Sequence, residues 1–129
     1  MESRIRSPQV DLERKRARAA LEAVKKAQND LGKDGGKKYG QLARSGSADI
    51  MTMGLGQTLA FWAAKKEKHH LQLLNNVTTW LVTQKLLKEA EKPLDWVMQL
   101  EDTGLYRRAT QETLALLAWI KRFSEAELL

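Results

Sequence analysis

Apolar side chains recur at intervals of three and four residues along almost the whole chain, and no stretch alternates one by one. That periodicity predicts helices and no strands. Ser7-Pro8 supplies a helix start, with a hydroxyl to cap free N–H groups and a proline suited to the first helical position. A first helix is expected over 9–31, with Ala17, Ala20, Leu21, Val24, Ala27 and Leu31 on one face. Gly32 ends it, and 33–36 reads as a turn or mobile loop. A short helix over 37–44 turns Tyr39, Leu42 and Ala43 inward, and Ser45-Gly46-Ser47 breaks it.

The next segment, 48–66, is apolar nearly all the way round and carries Gly54 and Gly56. A helix of that kind belongs in the middle of a bundle. Each glycine costs roughly 1 kcal/mol of helix propensity, which is tolerated where another backbone must come close. A fourth helix is expected over 68–91, stopped by Lys92-Pro93. A short fifth covers 94–101 with Trp96, Val97 and Leu100. The last starts near Thr103 or Gly104 and runs to Glu127, with Leu105, Ala109, Leu116, Ile120 and Phe123 inward. The expected fold is all-α: a single domain over 1–129, a bundle of about six helices, four long and two short, preceded by a loose basic arm over 1–7.

Composition fits this reading. At 129 residues and 43% hydrophobic content, the chain can bury about two-thirds of its unfolded surface. The net charge of +6 and pI of about 9.7 favour a polyanionic partner, nucleic acid before a membrane surface. Cysteine is absent, which removes disulfides, thiol catalysis and Cys-type zinc sites. No apolar run approaches the roughly 20 residues that span a bilayer. The charged start of the chain is unlike a signal peptide, so a cytoplasmic location is expected.

Catalytic and cofactor signatures fail one by one. The basic, glycine-rich stretch 32–38 would need a glycine at Leu31 and a hydroxyl at Lys38 to make a P-loop, and it lies between helices. His69 and His70 are the only histidines. As helix neighbours they point about 100° apart, which suits an exposed helix start better than one metal. No nucleophile turn is present for serine chemistry. Glu112 falls on the apolar face of the last helix, where a structural ion pair with a partner such as Arg108 is expected. No catalytic residue, metal site or cofactor is therefore assigned.

The basic residues say more. Arg14, Arg18 and Lys25 fall within about 40° of each other on the helical wheel, beside the core face, with Lys15 and Lys26 extending the patch. Lys65, Lys66 and Lys68 bracket the junction between two helices, and Lys121-Arg122 forms a third cluster. Such clusters hold a phosphate backbone without reading sequence. Arg14, Arg18, Lys25, Lys65 and Lys66 are the expected nucleic-acid contacts. On the fourth helix Leu73, Trp80 and Leu87 repeat every seven residues, away from the face made by Leu71, Leu74, Val77, Leu81 and Val82. This second stripe is covered either within the bundle or by another subunit. With four tryptophans in a short chain, the stripe is the candidate subunit interface.

Tyr39, the capped start near Asp49-Ile50, the run Gly54-Leu55-Gly56-Gln57-Thr58-Leu59-Ala60-Phe61 and Lys65 resemble the central signature of the small helical subunit of the type III-B CRISPR effector, the Cmr complex. Tyr106-Arg107-Arg108, Thr110, Glu112, Leu116-Leu117, Trp119-Ile120-Lys121-Arg122-Phe123 and Ala126 are similar to that family's closing helix. The likeness spans roughly residues 10–128, with Gly46-Ser47 where members often carry a proline and Met53 where a polar residue often stands. The resemblance implies a non-catalytic RAMP-module subunit of an antiviral RNA-guided complex. Such subunits stack head to tail beside the backbone filament that holds the CRISPR RNA. They also meet the large polymerase-like subunit and flank the target RNA, while cleavage belongs to the backbone subunits. A homo-oligomer of the isolated chain stays open. Two other classes compete. A DNA-binding regulator needs a base-reading second helix, but the nearest candidate, 38–66, puts an apolar helix there. A small helical enzyme would need a pocket carboxylate of raised pKa, with Glu112 the nearest choice.

Overall fold

The computed structural model describes residues 8–89, 92, 94–95 and 102–127. Among these residues the chain is all-α, with four helices. They are α1 (Pro8–Met53), α2 (Leu55–Lys65), α3 (Lys68–Thr83) and α4 (Thr103–Glu127). All four feed one core, in which Tyr39, Leu55, Leu59, Trp62, Leu73, Leu81, Leu117 and Ile120 are fully buried. α1 and α4 form the most extensive helix pair.

The expected six-helix count is not matched, because the breaks fall elsewhere. α1 spans 46 residues and absorbs two of the expected elements and the start of a third. It bends at Gly32, whose φ of 75° interrupts the helical dihedrals, and then resumes directly. The expected loop 33–36 is thus helical, and so is Ser45-Gly46-Ser47. Helix persists through the second of these because the segment is packed. A Cβ at residue 46 would lie 2.9 Å from Cζ2 of Trp62, so the glycine lets the indole lie on the α1 backbone. Burial there outweighs the roughly 1 kcal/mol propensity deficit. Tyr39, Leu42, Ala43, Gly46 and Ile50 form the buried stripe of this second limb, at the spacing one helix face requires.

The break comes instead at Gly54, inside the segment expected to be continuous. Its φ of 91° lies where side-chain-bearing residues are strained. The Gly54 N–H closes α1 by donating to the Ile50 carbonyl at 2.8 Å. Its own carbonyl opens α2 by accepting from the Thr58 N–H at 3.2 Å and the Thr58 hydroxyl at 2.9 Å. Tyr106 of α4 reaches over this junction, its hydroxyl accepting the Gly56 N–H at 3.0 Å. A side chain from the far end of the sequence thus satisfies one of the orphan donors of the α2 N-terminus.

α3 stops at Thr83, short of the expected Glu91. Lys85 turns left-handed (φ 61°), its N–H donating to the Val82 carbonyl and that of Leu86 to the Leu81 carbonyl, each at 2.9 Å. This is the paired bonding of a Schellman stop, with Leu81 and Leu86 both buried beneath it. Of the expected fifth helix, Leu94 and Asp95 are helical, and Trp96, Val97 and Leu100 lie outside the described residues. The last helix agrees closely, with Ala109, Leu116 and Ile120 buried and Leu105 and Phe123 packed against the core.

Candidate nucleic-acid interface

Arg14, Arg18 and Lys25 are all exposed on the first limb of α1. The same limb buries Ala20, Val24 and Ala27 completely. At about 100° per residue the three cations lie roughly opposite that stripe, and so farther from the core than a position beside its face. Among the described residues no acid lies within 4.0 Å of any of the three. Lys26 differs, since it is paired with Asp30 at 3.1 Å. Among the described residues the first limb therefore carries a row of charges without an ion-pair partner.

Lys65 and Lys66 close α2, and Lys68 opens α3. Lys66 is left-handed, with φ 58° and ψ 13°, and makes the sharp corner between the two helices. The Lys65 ammonium sits 5.4 Å from the centre of the Phe61 ring, a cation–π distance that leaves its outer side in water. Lys66 and Lys68 line a hollow of about 360 Å³ together with Lys38. The fold thus brings Lys38, from the second limb of α1, to Lys66 and Lys68.

The same corner holds the histidines, and here the structure corrects the exposed arrangement expected from the wheel. His70 is 7% exposed, with Nδ1 buried and without a hydrogen-bond partner. The two rings lie 4.3 Å apart. One ligand atom each from Glu67, His69 and His70 falls within 4.8 Å of the others. Glu67 belongs to the group because it sits at the N-cap of α3, one turn-start from both rings. The ligand types suit a transition metal, but the charge of the setting opposes one. Burial, and after it the charges of Lys38 on His69 and Lys65 on His70, push both imidazoles below their ordinary pKa; that leaves the rings neutral, as ligands must be, while the two lysines repel a cation.

Glu112 is the other feature singled out in the sequence. Its partner is Arg16, not Arg108. Arg16 donates to the carboxylate through Nε at 2.8 Å and through a terminal nitrogen at 2.6 Å. The Trp80 indole N–H donates to the same group at 3.0 Å. One carboxylate therefore ties α1, α3 and α4 together. The Arg16 hydrogen bonds hold Glu112 below the usual carboxylate range, against the opposing pull of burial. A general acid needs the opposite shift.

Trp80 is thereby placed inside the chain. It is 5% exposed, Leu73 0% and Leu87 4%. The candidate subunit-interface stripe is covered by the bundle itself, which was the other reading of the pattern. His70, Leu73, Val77, Trp80 and Leu81 make the buried face of α3, while Leu71, expected inward, is 44% exposed. Among the described residues Met51, Met53 and Phe61 are the other large apolar side chains left in solvent. α2, the second helix of the DNA-binding candidate, buries Leu55, Thr58, Leu59 and Trp62 and carries, of the base-reading arginine, asparagine and glutamine types, a single exposed Gln57. Among the described residues no helix is long and apolar enough to cross a membrane. Residues 12–127 match the family described as CRISPR-associated protein (Cas_Cmr5).

Proposed function

The chain belongs to the CRISPR-associated Cas_Cmr5 family, the small subunits of the type III-B Cmr complex, and we propose on that premise that it is a non-catalytic, cytoplasmic element that helps hold target RNA. The observation that carries the reading is the row Arg14, Arg18 and Lys25, exposed and without acidic partners among the described residues. Lys65 and Lys66 form the second contact. These groups grip phosphates and carry no means of reading bases. The subunit stacks with copies of itself beside the backbone subunits that hold CRISPR RNA, and it meets the large polymerase-like subunit. With Leu73, Trp80 and Leu87 buried, the apolar surface left for such contacts among the described residues is that of Met51, Met53, Phe61 and Leu71.

The test is charge reversal of Arg14 and Arg18 together in the assembled complex. Five phosphate contacts on a single strand give a slope of log K against log salt of about −3.5. Removing two should flatten it to about −2.1 and release target RNA at moderate salt. Unchanged retention at low salt would show that this row is not the contact.

A further inference from the structure

Two basic segments that are far apart in sequence meet in the fold. Lys37 and Arg44 from the second limb of α1 and Lys121 from α4 line one groove of about 300 Å³, together with Gly40, Ser124 and Glu125. The volume is at the small end of ligand pockets. Ser124 is only 5% exposed, and its hydroxyl has no hydrogen-bond partner. A buried hydroxyl left unpaired is costly, and a native structure keeps one where a ligand or solvent meets it.

The groove's charge balance points to the ligand's sign. Its one carboxylate, Glu125, is taken by Arg44 at 2.6 Å and Arg122 at 3.7 Å. Among the described residues no acid lies within 4.0 Å of Lys37 or Lys121. Two ammonium groups without a contact ion pair among the described residues thus face one groove from different helices, beside an arginine with donors to spare and a hydroxyl without an acceptor. At Gly40 there is no side chain to hold a ligand away from the helix. A divalent cation would find only a carboxylate already paired with two arginines and the Gln41 amide. A group with several anionic oxygens would find the ammonium, guanidinium and hydroxyl donors all useful.

We propose that this groove is a phosphodiester subsite for single-stranded RNA, clamped by Lys37 and Lys121, with Arg44 and the Ser124 hydroxyl as further donors. The inference takes its ligand from the RNA-holding reading above but uses none of the same residues. The two can therefore fail separately.

The test is fluorescence anisotropy of the full chain with a labelled oligoribonucleotide of about 12 nucleotides at low salt, with melting followed for every variant. Lys37→Glu with Lys121→Glu should weaken binding at least tenfold and reduce the salt slope by about 1.4. Lys85→Glu with Lys88→Glu makes the same change in net charge elsewhere and should cost less than threefold. Ser124→Ala changes no charge and should weaken binding about tenfold or more, the loss of one hydrogen bond to an anion. Inorganic phosphate at millimolar concentration should compete weakly; if it saturates the groove and leaves RNA bound, the site takes free phosphate and the proposal falls. It also falls if the Lys37/Lys121 variant folds and binds as the wild type does, if the Lys85/Lys88 control loses as much, or if the wild-type chain binds no RNA. An Arg14→Glu/Arg18→Glu variant run beside these tests the row on α1: loss there alone supports that row and overturns the groove, and loss only at Lys37/Lys121 does the reverse.

Discussion

Replacing Glu112 with Gln tests the three-helix tie directly. The side chains of Glu112 and Arg16 are 13% and 17% exposed, so the pair is largely out of water. Breaking a buried pair by removing one charge costs about 3–5 kcal/mol, mostly because the other charge is left desolvated. Two features reduce that here. Some water reaches Arg16, and the glutamine carbonyl can still accept the Trp80 N–H. A loss of about 2–3 kcal/mol is expected. At about 2.1 cal/mol/K per residue, 129 residues give an unfolding entropy of about 0.27 kcal/mol/K, so Tm should fall by about 7–11 °C. Urea titration at pH 7 reads the same loss as a shift in midpoint with unchanged slope. Adding Arg16→Met should restore at least 1 kcal/mol, since no orphaned cation then remains. The pH dependence has a defined sign. Glu112 is held below its ordinary value of 4.5 in the folded chain, so its contribution is complete above that value and is lost as pH falls below it. The gap between wild type and the Gln variant should therefore close in acid. A variant within 1 kcal/mol of wild type at pH 7, or a gap that widens in acid, would refute the argument.

Gly46→Ala should cost about 1–3 kcal/mol in chemical denaturation, because the new methyl meets the Trp62 ring at 2.9 Å and that indole is fully buried; a neutral or stabilising result would mean that α1 is free to shift away. Tyr106→Phe removes the acceptor of the Gly56 N–H and should cost about 1–2 kcal/mol, with faster amide exchange at the start of α2 as the specific sign.

The sequence made the helical class plain, along with two of its buried faces, because those follow from periodicity within one element. Tyr39, Leu42 and Ala43 face inward as their spacing requires, and so do Ala109, Leu116 and Ile120. What the period could not reveal was decided between elements. Glycine has a low helix propensity everywhere, yet Gly46 lies mid-helix because Trp62 covers it, while Gly54 ends a helix because Tyr106 and Thr58 complete the junction. The two stripes of α3 were both visible, but the buried face draws on each, Leu73 and Trp80 from one and Val77 and Leu81 from the other, and Trp80 turns inward because Glu112, held by Arg16, arrives from another helix to accept its N–H. The wheel offered Arg108 as the partner of Glu112 because it sees only neighbours one turn away, whereas Arg16 is 96 residues distant. The stop after Thr83 had no glycine to signal it, since Lys85 takes the left-handed position.

The same pairing pattern explains why a net charge of +6 becomes local. Acids that face the bundle are consumed there: Glu112 by Arg16 and Trp80, Glu13 by the Trp119 indole N–H at 2.7 Å, and Glu125 by Arg44. Among the described residues Arg14, Arg18 and Lys25 on the outer face of the first limb are left without such partners. Arg14 and Lys25 are 11 residues apart, about 16 Å along a helix. That is about twice the Debye length of roughly 8 Å at physiological salt. At that salt the row cannot act as a single diffuse charge; each cation must hold its own phosphate at contact distance. Retention of RNA by this surface should then depend on which residues carry the charge, and far less on the total. Charge reversal at the already paired Lys26 should leave retention close to that of the wild type, while the same reversal at Arg18, one turn from Arg14, should not.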